Sequence, residues 1–341
     1  MKQKLSEIAD ITMGQSPLSG CYNSDGIGTP FLQGCTTFGR IHPSYDTWTT
    51  QFSKSANKDD VLFTVRAPVG DVNLCQRFTA IGRGLASIHA TKVNPKYLFY
   101  LLEGNKSAFT SASSGTIYQS INKDKLYNVV LNVHDSSTQQ HIVDTIGSVD
   151  DLIENYEERI SFLQKISSYL YLQLIKHSRE TSYLGNFIKI ETGSMNLDEN
   201  DPNGRYPFYT RNIGTFYSNK YTNEGKGAVV AGEGNFTPKF VNGKFGLHQR
   251  AYFIQPSTTK LGSEVIYEII LSNKKYLESV AVGSTVKSLR RFCFEQMPFF
   301  IDADYFCLNQ ILEILFGEIE NFKKRKSILL NQKRILLDKY F

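Results

Sequence analysis

Cysteine is sparse in this 341-residue chain, and the five present (Cys21, Cys35, Cys75, Cys293, Cys307) are scattered, odd in number and free of any C-x-x-C pair. That excludes a disulfide framework or zinc ribbon and fits free thiols in a reducing cytoplasm. No apolar run approaches the roughly 18 residues of a membrane span, and the opening MKQKLSEIADITMGQ has none of signal-peptide length. A cytoplasmic protein with no membrane contact is expected. The six histidines (42, 89, 134, 141, 177, 248) show no H-E-x-x-H or paired ligand spacing, so no metal site is expected. GIG (26–28), GRG (82–84) and AGEG (231–234) lack the strand–turn–helix setting and downstream acid of a dinucleotide site, and GSTVKS has no glycine before Lys287 as a P-loop requires. No N-P-P-Y-like motif is present. Asp59-Asp60 and Asp150-Asp151 read as turn and helix-surface acids, not as a catalytic pair. The chain is therefore expected to perform no covalent chemistry and to hold no cofactor.

Charge of one sign is also lacking. Lys and Arg number 38 against 33 Asp and Glu, a formal net charge of +5, which is compatible with nucleic acid without requiring it. With 41% apolar and 13% aromatic residues the composition is ordinary globular, and the length allows two or three domains.

What the chain has is a repeat. LSEIADITMG (5–14) resembles LGNFIKIETG (184–193), each a strand-like alternation ending at glycine. GTPFLQG (28–34) resembles GRYPFYT (204–210). DDVLFTVRAPVGDV (59–72) parallels KGAVVAGEGNFTPKF (226–240), a strand followed by a Gly/Pro loop, and YLFYLLEGN (97–105) parallels VIYEIILSN (265–273). SSGTIYQSIN (113–122) then parallels AVGSTVKSLR (281–290), and a further strand follows in each copy, YNVVLNV and QMPFFID. A unit of about half the chain is far too long for a solenoid; it implies a duplicated domain.

A long helix closes each copy. In the first, Ile142, Ile146, Val149, Ile153, Tyr156, Ile160, Leu163, Leu170 and Leu174 keep a 4-3-4-3 rhythm interrupted only at Ser167. In the second, the same rhythm runs through Leu308, Leu312, Leu315, Ile319, Phe322, Lys326, Leu329, Lys333, Leu336 and Tyr340, with two lysines on the seam. Residues 139–178 carry a net −3 and residues 306–341 a net +3, with an acidic and a basic cluster near the respective middles. Antiparallel pairing brings these clusters together and disfavours pairing of either helix with its own copy. The expected organisation is a first globular domain (1–138), a central helix (139–178), a second globular domain (179–305) and a C-terminal helix (306–341).

These motifs, with DVLFTVRAPVGDV, GTIYQSINKDKL or GSTVKSLRRFCF, and the glutamine-rich helix start TQQHIVDTIGSVDDLIENYEERISFLQ, resemble the specificity subunit of type I restriction-modification systems. The resemblance spans essentially the whole chain and is strongest over 59–165; the second copy departs more, since VVAGEGNFTPKF replaces the arginine-bearing loop. It implies an α+β fold: two similar target-recognition domains separated by two long helices that form an antiparallel intramolecular coiled coil, a pseudo-twofold duplication. It implies a non-catalytic subunit recognising a bipartite target on double-stranded DNA, one domain per half-site. The helices would set the spacing and dock two modification (methyltransferase) subunits, which restriction subunits would join. A helix of 36 residues reaches about 54 Å. The chain would direct adenine-N6 methylation and restriction without a cofactor of its own. S-adenosylmethionine would serve the methyltransferase subunits, and ATP and magnesium the restriction subunits.

Since the two helices cancel in charge, the +5 belongs to the globular domains, as phosphate contact requires. Base discrimination is expected from polar and cationic side chains on loops. The candidates in the first domain are Gln15, Ser16, Arg66, Arg83, Gln119, Ser120 and Lys123. In the second they are Thr210, Arg211, Asn212, His248, Gln249, Arg250, Lys287, Arg290 and Arg291. Surface ion pairs are the bland reading for each arginine, and a cap or turn role for Ser120 and Ser288. Two other functions stay open at this point: a free-standing DNA-binding regulator with duplicated domains, and a scaffolding protein.

Overall fold

The computed structural model describes residues 1–113, 120–212 and 214–341, so Gly115, Tyr118 and Gln119 of the first repeated turn lie outside the described residues. The chain divides into two compact units: Met1–Glu154 with Lys326–Phe341, and Asn155–Arg325.

In the first unit, strands Ala9–Met13, Leu85–Ala90, Val61–Thr64 and Val72–Leu74 form an antiparallel sheet in that order. Its two faces follow from strand alternation. Val61 and Phe63 join the main core with Tyr97, Leu98 and Leu101 of the helix Pro95–Gly104, whereas Leu62 turns to a smaller core with Leu32, Ile81 and Leu85. That helix is apolar almost all round and accordingly buried; Asn94 caps it, accepting from the Lys96 N–H at 2.8 Å, and Pro95 occupies its first turn. A second sheet orders Tyr22–Asn23, Trp48–Thr49, Thr29–Leu32, Thr79–Ile81 and Ser55–Ala56.

The second unit repeats this plan with one difference. Its strands Ile188–Thr192, Ala251–Pro256, Asn223–Ala231, Lys239–Leu247, Tyr206–Tyr209 and Phe216–Ser218 form a single six-stranded sheet. The hairpin 223–247 is continuous here, whereas its counterpart breaks around 57–60. The break is built by Asp60, which is 3% exposed and accepts from the Asn57 N–H (2.8 Å) and the Ser87 hydroxyl (2.6 Å), with His89 Nδ1 2.7 Å from its other oxygen. Asp60 is thus a buried turn acid. Ala228 and Val230 face one core and Val229 the other, matching 61–63.

The long helices run Ser136–Ile175 and Tyr305–Tyr340. Asp135 and Asp304 begin them, accepting from the N–H groups of Ser137 and Thr138 and of Phe306 respectively, all at 3.1 Å. Every expected seam residue is buried or half-buried. Within the first unit His141 meets Tyr340 and Asp150 meets Lys333, so the segments run antiparallel. Within the second unit Tyr156 meets Phe322 and Tyr171 shares a core with Leu308 and Leu312, again antiparallel.

Two sequence expectations are corrected. Asp150 is not a helix-surface acid; it is fully buried. It binds the Arg40 guanidinium, accepts from the Tyr100 hydroxyl at 2.9 Å and lies 3.2 Å from Lys333 Nζ, which also pairs with Glu103 at 3.0 Å. The repeat puts this apolar-periodic helix against a polar pocket, a fact invisible in its own spacing. Nor is Ser167 a simple interruption: it is buried and its hydroxyl donates to Glu268, while the Ser168 hydroxyl donates to the other carboxylate oxygen at 2.9 Å. Burial pushes the Glu268 and Glu103 carboxyls above their ordinary range.

All five cysteines are free, Cys75 and Cys293 buried. Among the described residues no cluster of His, Cys, Asp or Glu could hold a metal, and no helix is long and apolar enough to cross a membrane.

Candidate nucleic-acid interface

At one end of the main sheet of each unit, three loops are locked together by backbone bonds that recur almost bond for bond. The Gly14 N–H donates to Leu85 O (2.9 Å) and the Gln15 N–H to Ile81 O (3.0 Å); in the second unit Gly193 donates to Ala251 O (3.2 Å) and Ser194 to Leu247 O (3.1 Å). Both glycines are required by close approach, since a Cβ would stand 2.2 Å from Gly82 O or Leu247 O. The Val65 N–H donates to Gly84 O and Ile121 to Val65 O, both at 3.0 Å; Gly232 donates to Arg250 O and Leu289 to Gly232 O, both at 2.8 Å. Arg66 pairs antiparallel with Ser120, and Glu233 with Ser288.

In the first unit this frame gathers most of the expected residues. Ser16 Oγ accepts from the Arg83 N–H at 3.2 Å and from the Gln33 amide at 2.9 Å, and the Ser53 hydroxyl donates to Gln15 Oε1 at 3.1 Å. Arg66, Arg83 and Ser120 are exposed around it. Lys123 is exposed in the short helix Lys123–Tyr127, its ammonium 5.1 Å over the Tyr127 ring. Among the described residues neither Arg66, Arg83 nor Lys123 meets a carboxylate, so three cations face outward uncompensated. Gln119 lies outside the described residues.

The second unit is built differently on the same frame. Glu233 pairs with Arg250, whose Nη1 is 2.8 and 2.9 Å from the two carboxylate oxygens, and with Arg211 at 3.4 Å. Arg250, above all, holds the Glu233 carboxyl below its ordinary range. Thr210 and His248 are not surface readers. Thr210 is 2% exposed and its hydroxyl accepts from the Asn212 N–H (3.1 Å); His248 is 5% exposed and its Nδ1 accepts from the Arg250 N–H (3.1 Å). Burial, then Arg211 and Arg250, push the His248 imidazole below its ordinary value, so it stays neutral and supports the turn. Gln249 and Asn212 are exposed beside it. Lys287 donates to Glu278 O (2.8 Å) and Arg291 to Glu295 (2.8 Å), whereas Arg290 is exposed at the start of Arg291–Glu295.

Gln33, Ser53, Glu233 and Lys239 were not expected from the sequence. Lys239 donates to Asn212 O and Gly214 O, both at 2.9 Å, and borders a cavity of about 180 Å³ with Val229, Ala231, Asn235 and Thr237. The repeat alignment could have yielded Glu233, which falls at the place of Arg66. Among the described residues the frame shows no nucleophile–base pair; it can offer hydrogen bonds and positive charge to a polyanion.

The profile described as Type I restriction modification DNA specificity domain matches residues 1–165 and again 176–301. The putative type I restriction enzyme MjaX specificity subunit of Methanocaldococcus jannaschii is 39% identical over 146 residues, 42% of this chain and 34% of that protein. The type I restriction enzyme EcoDI specificity subunit of Escherichia coli is 28% identical over 148 residues, 43% and 33% of the two chains. The aligned stretch thus spans about a third of each of these relatives. The crystal structure of the type I restriction-modification S subunit from M. genitalium shares the fold, with a TM-score of 0.62 at 16% identity over 100% of this chain and 96% of that one. With its domain matched twice over most of the length, the chain belongs to the type I restriction-modification DNA specificity domain family.

Proposed function

We propose that the chain is the non-catalytic sequence-specificity subunit of a type I restriction-modification complex, each unit reading one half of a bipartite site on double-stranded DNA. The observation that carries this reading is the shared three-loop frame clothed in unlike side chains: one backbone framework present twice, with different polar groups on it, as two half-sites of different sequence would need. The exposed cations of the first unit suit phosphate and base-edge contact. The long helices would space the half-sites and dock two methyltransferase subunits. Phe162, Tyr169, Ile314 and Ile328, at 63, 60, 68 and 59% exposure, leave apolar surface on them for such partners. Restriction subunits would complete the nuclease. The partners would bring S-adenosylmethionine, ATP and magnesium; this chain would bring none.

Co-expression with a modification subunit tests the reading. The purified chain alone should methylate no DNA, and the co-purified complex should methylate adenine at specific sequences only when the chain is present. Failure to form that complex, with tight binding of a bipartite operator by the chain alone, would favour a free-standing regulator.

A further inference from the structure

The common frame allows its side chains to be compared position by position. The bond from the Val65 N–H to Gly84 O and that from the Gly232 N–H to Arg250 O make Gly84 and Arg250 counterparts. The bridges Arg66–Ser120 and Glu233–Ser288 make Arg66 and Glu233 counterparts. At these two matched places the guanidinium has changed loops, while Arg83, next to Gly84, is the counterpart of Gln249. The first unit carries arginine at one matched place and glycine at the other; the second carries glutamate and arginine. Arg250 is 54% exposed in its side chain and Glu233 21%. An ion pair so exposed contributes little to stability. Its effect is geometric: both carboxylate oxygens accept from the single nitrogen Nη1, which tethers one end of the guanidinium and leaves the Nε–Nη2 edge outside the pair. Nε and Nη2 meet no acceptor among the described residues, and the side chain is 54% exposed, which leaves that edge open to a ligand. A planar fork presenting two parallel N–H groups matches the O6 and N7 acceptors of guanine in the major groove.

Resting on the DNA-reading function above, we propose that Arg66 and Arg250 are the guanine-reading residues of their units, delivered from exchanged loops, with Glu233 the positioning residue for Arg250. The guanine then stands at a different place in each half-site. The test uses the full chain in its methyltransferase complex, on DNA libraries with one half-site randomised at a time. Arg250→Ala should cut discrimination at one base pair of one half-site by about 5- to 150-fold and leave the other half-site untouched; Arg66→Ala should do the reverse. Arg250→Lys keeps the charge and much of the packing and should lose the same discrimination, which separates reading from misfolding. Glu233→Gln should relax the same base pair as Arg250→Ala, and Glu233→Asp should recover part of it. Uniform weakening across all sequences, the mark of a phosphate contact, overturns the proposal, as does an unchanged preference. A wild-type complex with no sequence preference overturns the reading function itself, and the assignment of Arg66 and Arg250 with it.

Discussion

Asp150 offers the sharpest energetic test. It is fully buried, with Arg40 and Lys333 as cationic partners and the Tyr100 hydroxyl on its second oxygen. Asp150→Ala leaves two cations, 19% and 6% exposed, facing one another. Breaking a buried pair from one side costs about 3–5 kcal/mol. Two contacts survive: Arg40 Nη2 still reaches the residue-150 carbonyl at 3.0 Å, and Lys333 keeps Glu103 at 3.0 Å. The lower part of the range, about 3 kcal/mol, is therefore expected. Lys333→Met leaves Asp150 with Arg40 and allows Glu103, already shifted upward by burial, to take a proton; about 1–2 kcal/mol follows. The double variant should cost less than the sum by at least about 1 kcal/mol, because the second change relieves the charge stranded by the first. Urea denaturation followed by fluorescence is the assay, since the single tryptophan, Trp48, belongs to the first unit. A loss below about 1 kcal/mol for Asp150→Ala, or strict additivity in the double variant, would refute the assignment of Asp150 as the hub of the seam.

Glu268 gives the pH counterpart. Burial holds its folded carboxyl above the ordinary glutamate range, so the folded state holds more protons than the unfolded state and this contribution to stability falls as pH rises through the folded value. Glu268→Gln should raise the melting temperature of the second unit at pH 8 relative to the native chain and not at pH 4, read by calorimetry. Gly193→Ala should destabilise that unit by about 1–3 kcal/mol in urea, because its Cβ meets Leu247 O and His248 O at 2.2 and 2.3 Å, both backbone. Its effect on DNA should be confined to one half-site.

The helices were legible because a 3.5-residue rhythm is local: Ile142 to Leu174 and Leu308 to Tyr340 announce their own seam. The duplicated frame was legible through its glycines, since Gly14 and Gly193 mark the points where two backbones nearly touch. What the sequence hid depends on groups distant along the chain. Asp150 looked like a surface acid because its partners Arg40, Tyr100 and Lys333 lie 50 to 183 positions away. Ser167 looked like a defect because Glu268, 101 positions on, supplies its reason. Thr210 and His248 looked like readers, yet polar side chains that fold a turn and those that meet DNA have the same composition. Lys333 was read as a polar seam residue, and its burial beside Asp150 is what such a position needs.

The central claim, one half-site per unit, is tested most directly by sequencing the methylated adenines left by the reconstituted complex, with the native chain and with a variant whose residues 206–250 come from another family member. The account predicts two short half-sites at a fixed gap, with the exchange altering one half-site and leaving the other half-site unchanged. A single contiguous site, or a change in both halves together, would contradict it.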